Sequence, residues 1–346
     1  MTLRPKVLNI DCAYIESPGY EYERQRIQSA GGELVLSKAP TEEAIVEAGR
    51  QANIVLVEYP VTPITARVAA NLPQCWAIVK YGVGLDNVDI GAATKHGIVV
   101  CNAADYCVEE VSDHTVGLLL AGLRRIVVLD GNIRAGGWHD FPRRGELRRV
   151  SSLTLGLVGL GRIGSAVARK MSGFRMRILA ADPYIPPPDP SLGVEMVDLD
   201  RLLQESDIIS LHTPLTHETR GLIGGRALRT MKSSALLVNT SRGPVIDEEA
   251  LIRALQEGRI AGAALDVMTH EPLPPSSRLR ELDNVVLTPH YAARSEESLL
   301  DLRTCMADSV EALLLGYWPP FPANPEVRPR IPLKPWKEFR PDSGVA

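Results

Sequence analysis

Three side chains in the second half of the chain could together carry out hydride chemistry on a carbonyl group. Arg242 follows the apolar segment ALLVNT, Glu271 lies in THEP after IAGAALDV, and His290 ends NVVLTPH. A guanidinium forms paired, charged hydrogen bonds with a carboxylate, and an imidazole exchanges a proton near neutral pH. A carboxylate beside the imidazole would orient the ring and favour its protonated form. The three residues are therefore candidate catalytic groups for a reaction in which a nicotinamide carries the hydride.

Each of these residues also has an ordinary structural interpretation. Arg242 could form an ion pair in a loop, Glu271 could be a turn residue before Pro272, and His290 could simply end a strand. Spacing along the chain does not decide whether the three side chains meet in space.

The run Gly159-Leu160-Gly161-Arg162-Ile163-Gly164 follows an apolar strand-like segment, SLTLGLVG, and opens a helical one. In a dinucleotide-binding turn, the first glycine permits the tight turn, the second lets a pyrophosphate approach the backbone, and the third allows close helix–strand packing. The first helical residues, Arg162 and Ile163, then present backbone N–H groups to the phosphates.

Asp182 ends the next strand-like segment, 18 residues after Gly164. A carboxylate at this place typically accepts hydrogen bonds from the adenosine ribose hydroxyls. Pro183 and Tyr184 follow it, without an arginine that could neutralise a 2′-phosphate. The sequence therefore favours NAD over NADP; the alternative is a structural glycine turn beside an exposed aspartate.

Further polar residues follow other apolar segments of the same half of the chain. They are candidate cofactor contacts, because ligands of an open parallel sheet bind outside the carboxyl ends of its strands. These residues are His212, Thr213, Thr240, Asp266 and His290, and the apolar Pro214 beside them is a further candidate cofactor contact. His212, like the nearby His217, is equally consistent with a capping or loop role.

Apolar segments alternate with amphipathic helical ones along most of the chain, which predicts parallel α/β sheets with helices on both faces. A helix is predicted over residues 108–134, and its apolar middle suggests burial between domains or subunits. The 346 residues suffice for about two domains. Beyond residue 316 the chain is rich in proline, and a loose segment is expected there.

Composition excludes several classes of protein. A charged fraction of 23% and a net charge of −4 give no field that would attract nucleic acid or an anionic membrane. No apolar stretch approaches the ~20 residues of a spanning helix, and no secretory signal is apparent. Five scattered cysteines, Cys12 among them, suggest reduced thiols in a cytoplasmic protein without a structural zinc or other metal site.

The motifs NTSRGPVIDEEAL, ALDVMTHEPLP and LTPH resemble signatures of the D-isomer-specific 2-hydroxyacid dehydrogenases, as do VGLGRIG, LHTPLTHETRGLI and YGVGLDNVDI. The similarity extends over nearly the whole chain to about residue 316. It implies a Rossmann-type NAD-binding domain (residues 105–295) inserted into a smaller flavodoxin-like α/β substrate domain (1–104 and 296–330). Residues 331–346 are left as a loose tail. A homodimer formed through the nucleotide-binding domain is also implied.

The resemblance assigns roles residue by residue. It makes Arg242 the substrate-orienting arginine, His290 the acid–base group and Glu271 its carboxylate partner. It makes Asp266 a nicotinamide contact, and it adds Thr115 and Thr219 to the cofactor residues. Val83 and Gly84 fall where family backbone N–H groups bind the substrate carboxylate.

Two alternatives remain within this resemblance, a corepressor-like scaffold and a 3-phosphoglycerate dehydrogenase, and a formate dehydrogenase is set aside. DYCVEEVSDHTVGLLLAGLRR and SEES resemble a bacterial branch similar to the C-terminal binding protein corepressors, which suggests an NAD(H)-sensing scaffold. A 3-phosphoglycerate dehydrogenase should offer arginines after NIVLVE, where this chain has EYPV, and it should have a long C-terminal regulatory domain. A formate dehydrogenase should have Gln in place of Glu271. The sequence therefore favours a small, non-phosphorylated 2-oxoacid such as glyoxylate, hydroxypyruvate or pyruvate.

Overall fold

The structure is a computed structural model, and it describes residues 4–11, 19–58, 62–138 and 147–339. The chain divides into two compact units. The terminal unit comprises residues 1–106 and 296–346, and the central unit comprises residues 107–295. The sequence placed these boundaries after residues 104 and 295.

The terminal unit contains a five-stranded parallel sheet in the order β2-β1-β3-β4-β5, the flavodoxin-like order. Its strands are β1 (Lys6–Asn9), β2 (Glu33–Leu36), β3 (Ile54–Val57), β4 (Ala77–Lys80) and β5 (Val99–Asn102). Its first helices are α1 (Glu21–Ser29), α2 (Glu42–Gly49), α3 (Ala66–Ala70) and α4 (Ile90–Lys95). Strands β3, β4 and β5 are buried along their whole length because helices cover both faces.

The central unit contains a seven-stranded sheet, and every pairing in it is parallel. Its strands are β6 (Thr154–Val158), β7 (Arg177–Ala181), β8 (Val194–Met196), β9 (Ile208–Leu211), β10 (Leu236–Asn239), β11 (Gly262–Leu265) and β12 (Val285–Leu287). The order β12-β11-β10-β9-β6-β7-β8 reverses direction between β6 and β9. This is the Rossmann arrangement, in which that reversal point is where ligands bind.

Helices cover both faces of the central sheet, and apolar cores lie beneath them. The helices are α5 (Val108–Leu123), α6 (Ile126–Arg134), α7 (Arg162–Ser172), α8 (Leu199–Glu205), α9 (Gly225–Thr230) and α10 (Glu248–Gln256). Strand β8 had no counterpart in the sequence analysis. It has three residues, none of them buried, so its hydrophobic pattern is too short to read.

The predicted continuous helix over residues 108–134 is wrong in one respect. It is two helices, α5 and α6, separated at Arg125, whose backbone has the left-handed φ of +54°. Only α5 carries buried residues; α6 has none, and Ile126 and Val127 are more than half exposed. The break turns the apolar stripe of the second half away from the core of the central unit.

The chain returns to the terminal unit through α11 (Glu296–Leu314). Ion pairs from Arg26 to Asp308 and from Arg303 to Glu23 hold α11 against α1. Within the described ranges, no helix has both the length and the apolar character needed to cross a lipid bilayer.

The prediction of a loose tail from residue 331 is wrong as far as Phe339. The Trp318 amide donates to the carbonyl of Lys334 at 2.9 Å, and the rings of Tyr317 and Phe339 lie 5.6 Å apart. Phe339 is 4% exposed. Burial of aromatic surface therefore orders this segment despite its prolines. Residues 340–346 lie outside the described ranges.

Candidate functional site

The glycine turn after β6 has the geometry that the motif requires. Gly159 has φ +92°, and a Cβ there would lie 2.8 Å from the carbonyl oxygen of His212. A Cβ on Gly164 would lie 2.4 Å from the carbonyl oxygen of Gly159, whereas one on Gly161 would meet no protein atom within 4 Å. The first and third glycines are therefore needed for conformation and packing, and the second leaves the backbone open to approach by a ligand.

Helix α7 begins directly after this turn. Arg162 is its first residue, and Ile163 packs against the apolar core beneath the helix. The helix N–H groups and its positive end face the turn, which suits the negative charge of a pyrophosphate.

Asp182 follows β7 and is held against the glycine turn. Its Oδ2 accepts a hydrogen bond from the Leu160 amide at 2.9 Å, and its Oδ1 accepts one from the Tyr184 amide at 3.0 Å. The carboxylate is partly exposed and keeps free lone pairs for further donors. The Tyr184 hydroxyl donates to Glu218, and this bond raises the pKa of Tyr184. The Tyr184–Glu218 contact was not anticipated from the sequence.

His212 follows β9 on the other side of the reversal point. Its amide donates to the Val158 carbonyl at 2.8 Å, and its Nε2 lies 2.9 Å from Ser210 Oγ. Burial lowers the pKa of His212 to about 4, so the ring is neutral at physiological pH. A contact between His212 and a cofactor stays a prediction.

Two threonine hydroxyls in the loop after His212 differ in their hydrogen bonding. Thr213 Oγ1 is buried and has no hydrogen-bond partner among the described residues. Thr219 Oγ1 donates to the Pro214 carbonyl at 2.6 Å and so shapes the loop. An orphan buried hydroxyl beside an accessible glycine backbone fits a polar ligand such as a dinucleotide.

Arg242 follows β10 and is held by Asn239, which is fully buried. Asn239 Nδ2 donates to the Arg242 carbonyl at 2.9 Å, and Asn239 Oδ1 accepts from the amide of Ser241 at 3.0 Å. The guanidinium is partly exposed and donates to the Ser241 carbonyl. The neighbouring Gly243 packs so tightly that a Cβ there would lie 2.0 Å from the backbone of Met268. The loops after β10 and β11 therefore meet.

Glu271 and His290 form a direct pair. His290 Nδ1 lies 2.6 Å from Glu271 Oε2, and the other carboxylate oxygen accepts from the Met268 amide at 2.9 Å. Because a carboxylate only accepts hydrogen bonds, Nδ1 carries the proton. The other ring nitrogen, Nε2, is then the one that can exchange a proton with a ligand. Side chains at 37% and 26% exposure leave the pair within reach of one.

His290 has an unusual backbone conformation, with φ +54°. This left-handed conformation costs roughly 1–2 kcal/mol for a residue with a Cβ. The His290 amide donates to the carbonyl of Asp266 at 2.7 Å. Such strain persists where surrounding contacts enforce it, and it is frequent at functional sites.

The Asp266 carboxylate supplies further contacts to the same loop. It accepts hydrogen bonds from Thr288 Oγ1 at 2.6 Å, from the Tyr291 amide at 2.9 Å and from the Ala292 amide at 3.0 Å. Burial alone would raise its pKa, but these bonds and a contact with His114 outweigh burial and lower the pKa to about 2. The carboxylate therefore holds the loop that carries His290. A contact with nicotinamide stays a prediction.

Two further predicted cofactor residues meet inside the central unit. Thr115 of α5 is fully buried, and its Oγ1 lies 2.8 Å from Thr240 Oγ1 after β10. The contact ties α5 to the edge of the sheet that carries the other candidates. His114 and Thr288 were not singled out from the sequence, although His114 lies in the motif DYCVEEVSDHTVGLLLAGLRR and Thr288 lies in LTPH.

The predicted substrate-carboxylate residues Val83 and Gly84 lie in the terminal unit, in the loop after β4. Gly82 has φ +122°, and the Val83 carbonyl accepts a hydrogen bond from Asn102 Nδ2 at 2.6 Å. The turn is thus well supported within its own unit. No group of three or more potential metal ligands occurs in the described parts of the chain.

The central unit brings the candidates to one edge of its sheet. The glycine turn, Asp182, His212, Arg242, Glu271 and His290 all follow the carboxyl ends of parallel strands. A Rossmann sheet with this turn, a partly exposed guanidinium and a carboxylate–imidazole pair defines a dinucleotide-dependent dehydrogenase.

Comparison with known proteins identifies the family. Residues 116–292 match the model of the D-isomer specific 2-hydroxyacid dehydrogenase NAD binding domain. A glyoxylate reductase of Korarchaeum cryptofilum is 44% identical over 293 residues, which cover 83% of this chain and 87% of the relative. A D-3-phosphoglycerate dehydrogenase of Methanocaldococcus jannaschii is 39% identical over 287 residues, 82% of this chain but 54% of that relative.

Solved structures agree with this result. The D-lactate dehydrogenase of Aquifex aeolicus, complexed with NAD and lactic acid, has a TM-score of 0.80 and 29% identity, covering 90% of this chain and 96% of that one. A glyoxylate/hydroxypyruvate reductase of Sinorhizobium meliloti, complexed with NADP and malonate, has a TM-score of 0.81 and 28% identity, covering 95% and 99%. The chain belongs to the D-isomer specific 2-hydroxyacid dehydrogenase family and is an NAD-dependent oxidoreductase.

Proposed function

We propose that this protein reduces a small, non-phosphorylated 2-oxoacid to the D-2-hydroxyacid, with glyoxylate, hydroxypyruvate and pyruvate as the candidate substrates. The observation that carries the proposal is the 2.6 Å contact between His290 and Glu271 at the same sheet edge as Arg242 and the glycine turn. The similarity to glyoxylate reductases supports the choice of substrate class.

In this proposal each residue has a distinct role. Arg242 binds the substrate carboxylate and carbonyl oxygen through its fork of N–H donors. His290, protonated, donates from Nε2 to the oxygen that becomes the alcohol, and it accepts that proton in the reverse direction. Glu271 accepts from Nδ1 and stabilises the imidazolium. The nicotinamide, when bound, supplies the hydride for reduction or takes it in oxidation.

The same proposal assigns the cofactor set to the glycine turn and its neighbours. Gly161, Arg162 and Ile163 would offer backbone N–H groups to the pyrophosphate, and the Thr213 hydroxyl is available as a further donor. Asp182 would accept hydrogen bonds from the ribose hydroxyls. Its negative charge disfavours a 2′-phosphate, so NAD is proposed over NADP.

A non-phosphorylated substrate is proposed because the chain after β3 is acidic at Glu58. This side chain accepts hydrogen bonds from Asn9 Nδ2 and Tyr20 OH. Glu58 offers no positive charge after β3, whereas a phosphoglycerate enzyme needs cations for its phosphate dianion. Residues 59–61, which complete the predicted EYPV segment, lie outside the described ranges.

A substrate screen tests the proposal. Purified protein is assayed with glyoxylate, hydroxypyruvate, pyruvate and 3-phosphohydroxypyruvate, each with NADH and with NADPH. The expected result is turnover of at least one of the first three with NADH, and little with the phosphorylated acid. Preference for the phosphorylated acid would instead support a phosphoglycerate dehydrogenase. Tight NADH binding without any turnover would support the corepressor-like scaffold.

We also propose a homodimer formed through the central unit, in a cytoplasmic protein. The half-exposed Ile126, Val127 and Ile133 of α6 supply apolar surface for a dimer contact. Cys75, Cys101 and Cys305 are free thiols, consistent with a reducing compartment, and Cys12 lies outside the described ranges. Light scattering of the purified protein tests the dimer; a monomer at micromolar concentration would contradict it.

A further inference from the structure

His114 on α5 contacts Thr288 and Asp266, and these two residues hold the loop that carries His290. The Nε2 of His114 lies 3.0 Å from Thr288 Oγ1 and 3.4 Å from Asp266 Oδ1, and its side chain is 25% exposed. All three residues belong to the central unit. Nothing in the cofactor or acid–base assignment above uses His114.

The hydrogen-bond donors in this cluster can be assigned. Asp266 is ionised and only accepts, and Thr288 Oγ1 donates its single proton to it at 2.6 Å. The proton between His114 and Thr288 must therefore come from the imidazole. His114 Nε2 carries that proton and donates it to Thr288 Oγ1, with Asp266 Oδ1 as a longer second acceptor.

Among the charged groups near His114, Asp266 is the one that its imidazole contacts. Glu109 and Asp113, on the same helix, both pair with Lys170 of α7. Glu110 accepts a hydrogen bond from Ser295. The Nε2–H group of His114 therefore points at Thr288 and Asp266.

The hydrogen bond between Thr288 and Asp266 supports the conformation of the loop on both sides of His290. Thr288 precedes the histidine, and the Asp266 carboxylate binds the amides of Tyr291 and Ala292 after it. The left-handed backbone at His290 depends on these bonds, because the conformation is unfavourable by itself.

We propose that His114 is a positioning residue for the acid–base pair: its Nε2–H fixes Thr288 and Asp266, which hold His290 against Glu271. This inference rests on the proposed function, in which His290 exchanges the substrate proton. Without the Nε2–H donor, the loop would relax and the imidazole would lie less well against the Glu271 carboxylate.

The test compares His114→Phe, which keeps the ring shape but removes the donor, with His114→Gln, whose amide can donate from a similar position. The exposed His96 of the terminal unit provides a control, His96→Gln. The measurements are NADH affinity by fluorescence, kcat and KM across pH with the best 2-oxoacid, and the ring ¹⁵N shifts of His290 across pH. The His290 signal is assigned by its loss in His290→Ala.

His114→Phe is expected to lower kcat by about ten- to a hundredfold, because small misplacements of a reacting group are costly. NADH affinity should stay within about twofold. The acid–base midpoint in kcat/KM and the His290 titration should both move to lower pH, since a weaker Glu271 contact stabilises the imidazolium less. His114→Gln should restore most of the rate and both midpoints.

Unchanged midpoints and rate in His114→Phe would overturn the inference. If that variant does not fold, Thr288→Val removes both the acceptor of the His114 bond and the donor to Asp266, and it should move the same midpoints, while Thr288→Ser, which keeps both bonds, should not. The ¹⁵N titration does not need turnover. It therefore tests the positioning role even if the substrate screen fails, and the two failures can be distinguished.

Discussion

At the residue scale, the main feature is that one histidine combines a strained backbone with a charged hydrogen bond. His290 has φ +54° and places Nδ1 2.6 Å from Glu271. The backbone of Asp266 and its carboxylate hold this conformation from the neighbouring strand. An imidazole that was merely ending a strand would not need contacts of this kind.

His290→Ala is expected to lower kcat by about a hundredfold or more while leaving NADH affinity within about twofold, because it removes the proton donor without touching the glycine turn. Steady-state kinetics and fluorescence titration measure the two quantities. His96→Ala, at an exposed position of the terminal unit, should match the wild type in both. Turnover that survived in His290→Ala would remove this histidine from the mechanism.

Asp182→Asn keeps a side-chain oxygen for the Leu160 amide but removes the negative charge. We expect the ratio of kcat/KM for NADH to that for NADPH to fall by roughly tenfold, since repulsion of a 2′-phosphate is lost. Asp189→Asn, at an exposed aspartate beyond the same strand, should leave the ratio unchanged. An unaltered ratio in Asp182→Asn would mean that this carboxylate does not contact the ribose.

At the scale of elements, the turn between β6 and α7 contains glycines that are required for different physical reasons. Gly164 is needed for packing, because a Cβ there would lie 2.4 Å from the Gly159 carbonyl. Gly161 has open surroundings and an ordinary backbone conformation, so packing does not explain it. Gly243, like Gly164, is needed for packing, because it lies where the loops after β10 and β11 meet.

The substitutions Gly161→Ala and Gly164→Ala should separate these purposes. Gly161→Ala should leave the melting temperature of the free protein within about 1 °C but weaken NADH binding by tenfold or more, because the methyl group would occupy the approach to the backbone. Gly164→Ala should lower the melting temperature by several degrees, since overpacking typically costs about 1–3 kcal/mol. Thermal denaturation and NADH titration measure both. Normal NADH affinity in Gly161→Ala would argue against a pyrophosphate at the turn.

At the scale of the whole molecule, each of the two units carries a partly buried titratable group, and the two groups change the free energy of unfolding in opposite directions with pH. In the terminal unit, burial of Glu58 raises its pKa to about 7 from an ordinary 4.5. In the central unit, burial lowers the pKa of His212 to about 4 from 6.5. The folded terminal unit therefore binds a proton more tightly than the unfolded chain, and the folded central unit binds one less tightly.

The direction in which each group changes the stability of the fold with pH follows from this difference. Glu58 stabilises the fold fully below pH 4.5, and its contribution is lost as the pH rises through about 7. His212 opposes folding increasingly as the pH falls from 6.5 through 4. Between about pH 4.5 and 6.5 the two effects act in opposite directions, and stability there should vary little with pH on their account.

Glu58→Gln imitates the protonated acid and should remove its share of this dependence. The stability of the variant relative to the wild type should rise by an amount on the order of 2 kcal/mol between pH 4.5 and 7.5. Calorimetric melting temperatures at several pH values measure the change, with Glu47→Gln, an exposed glutamate on α2, as the control. Parallel pH profiles for Glu58→Gln and the wild type would contradict the assignment.

Much of the architecture could be predicted because it is encoded locally. Apolar segments followed by polar residues indicated the strands and their carboxyl ends, and the glycine spacing indicated the turn with its distinct glycines. These features depend on residues close together in the chain. Features that the local pattern does not show were missed: the break at Arg125, the strand β8, which is too short to carry a hydrophobic pattern, and the segment up to Phe339, whose order depends on distant partners.

The fold class, the dinucleotide turn and the candidate catalytic residues can all be predicted from local sequence patterns. Three contacts become visible only in the folded chain: Glu271 touches His290, Gly243 lies where the loops after β10 and β11 meet, and His114 contacts Thr288 and Asp266. These contacts cannot be predicted locally because strand order and register, rather than separation along the chain, set which side chains meet at the edge of a sheet.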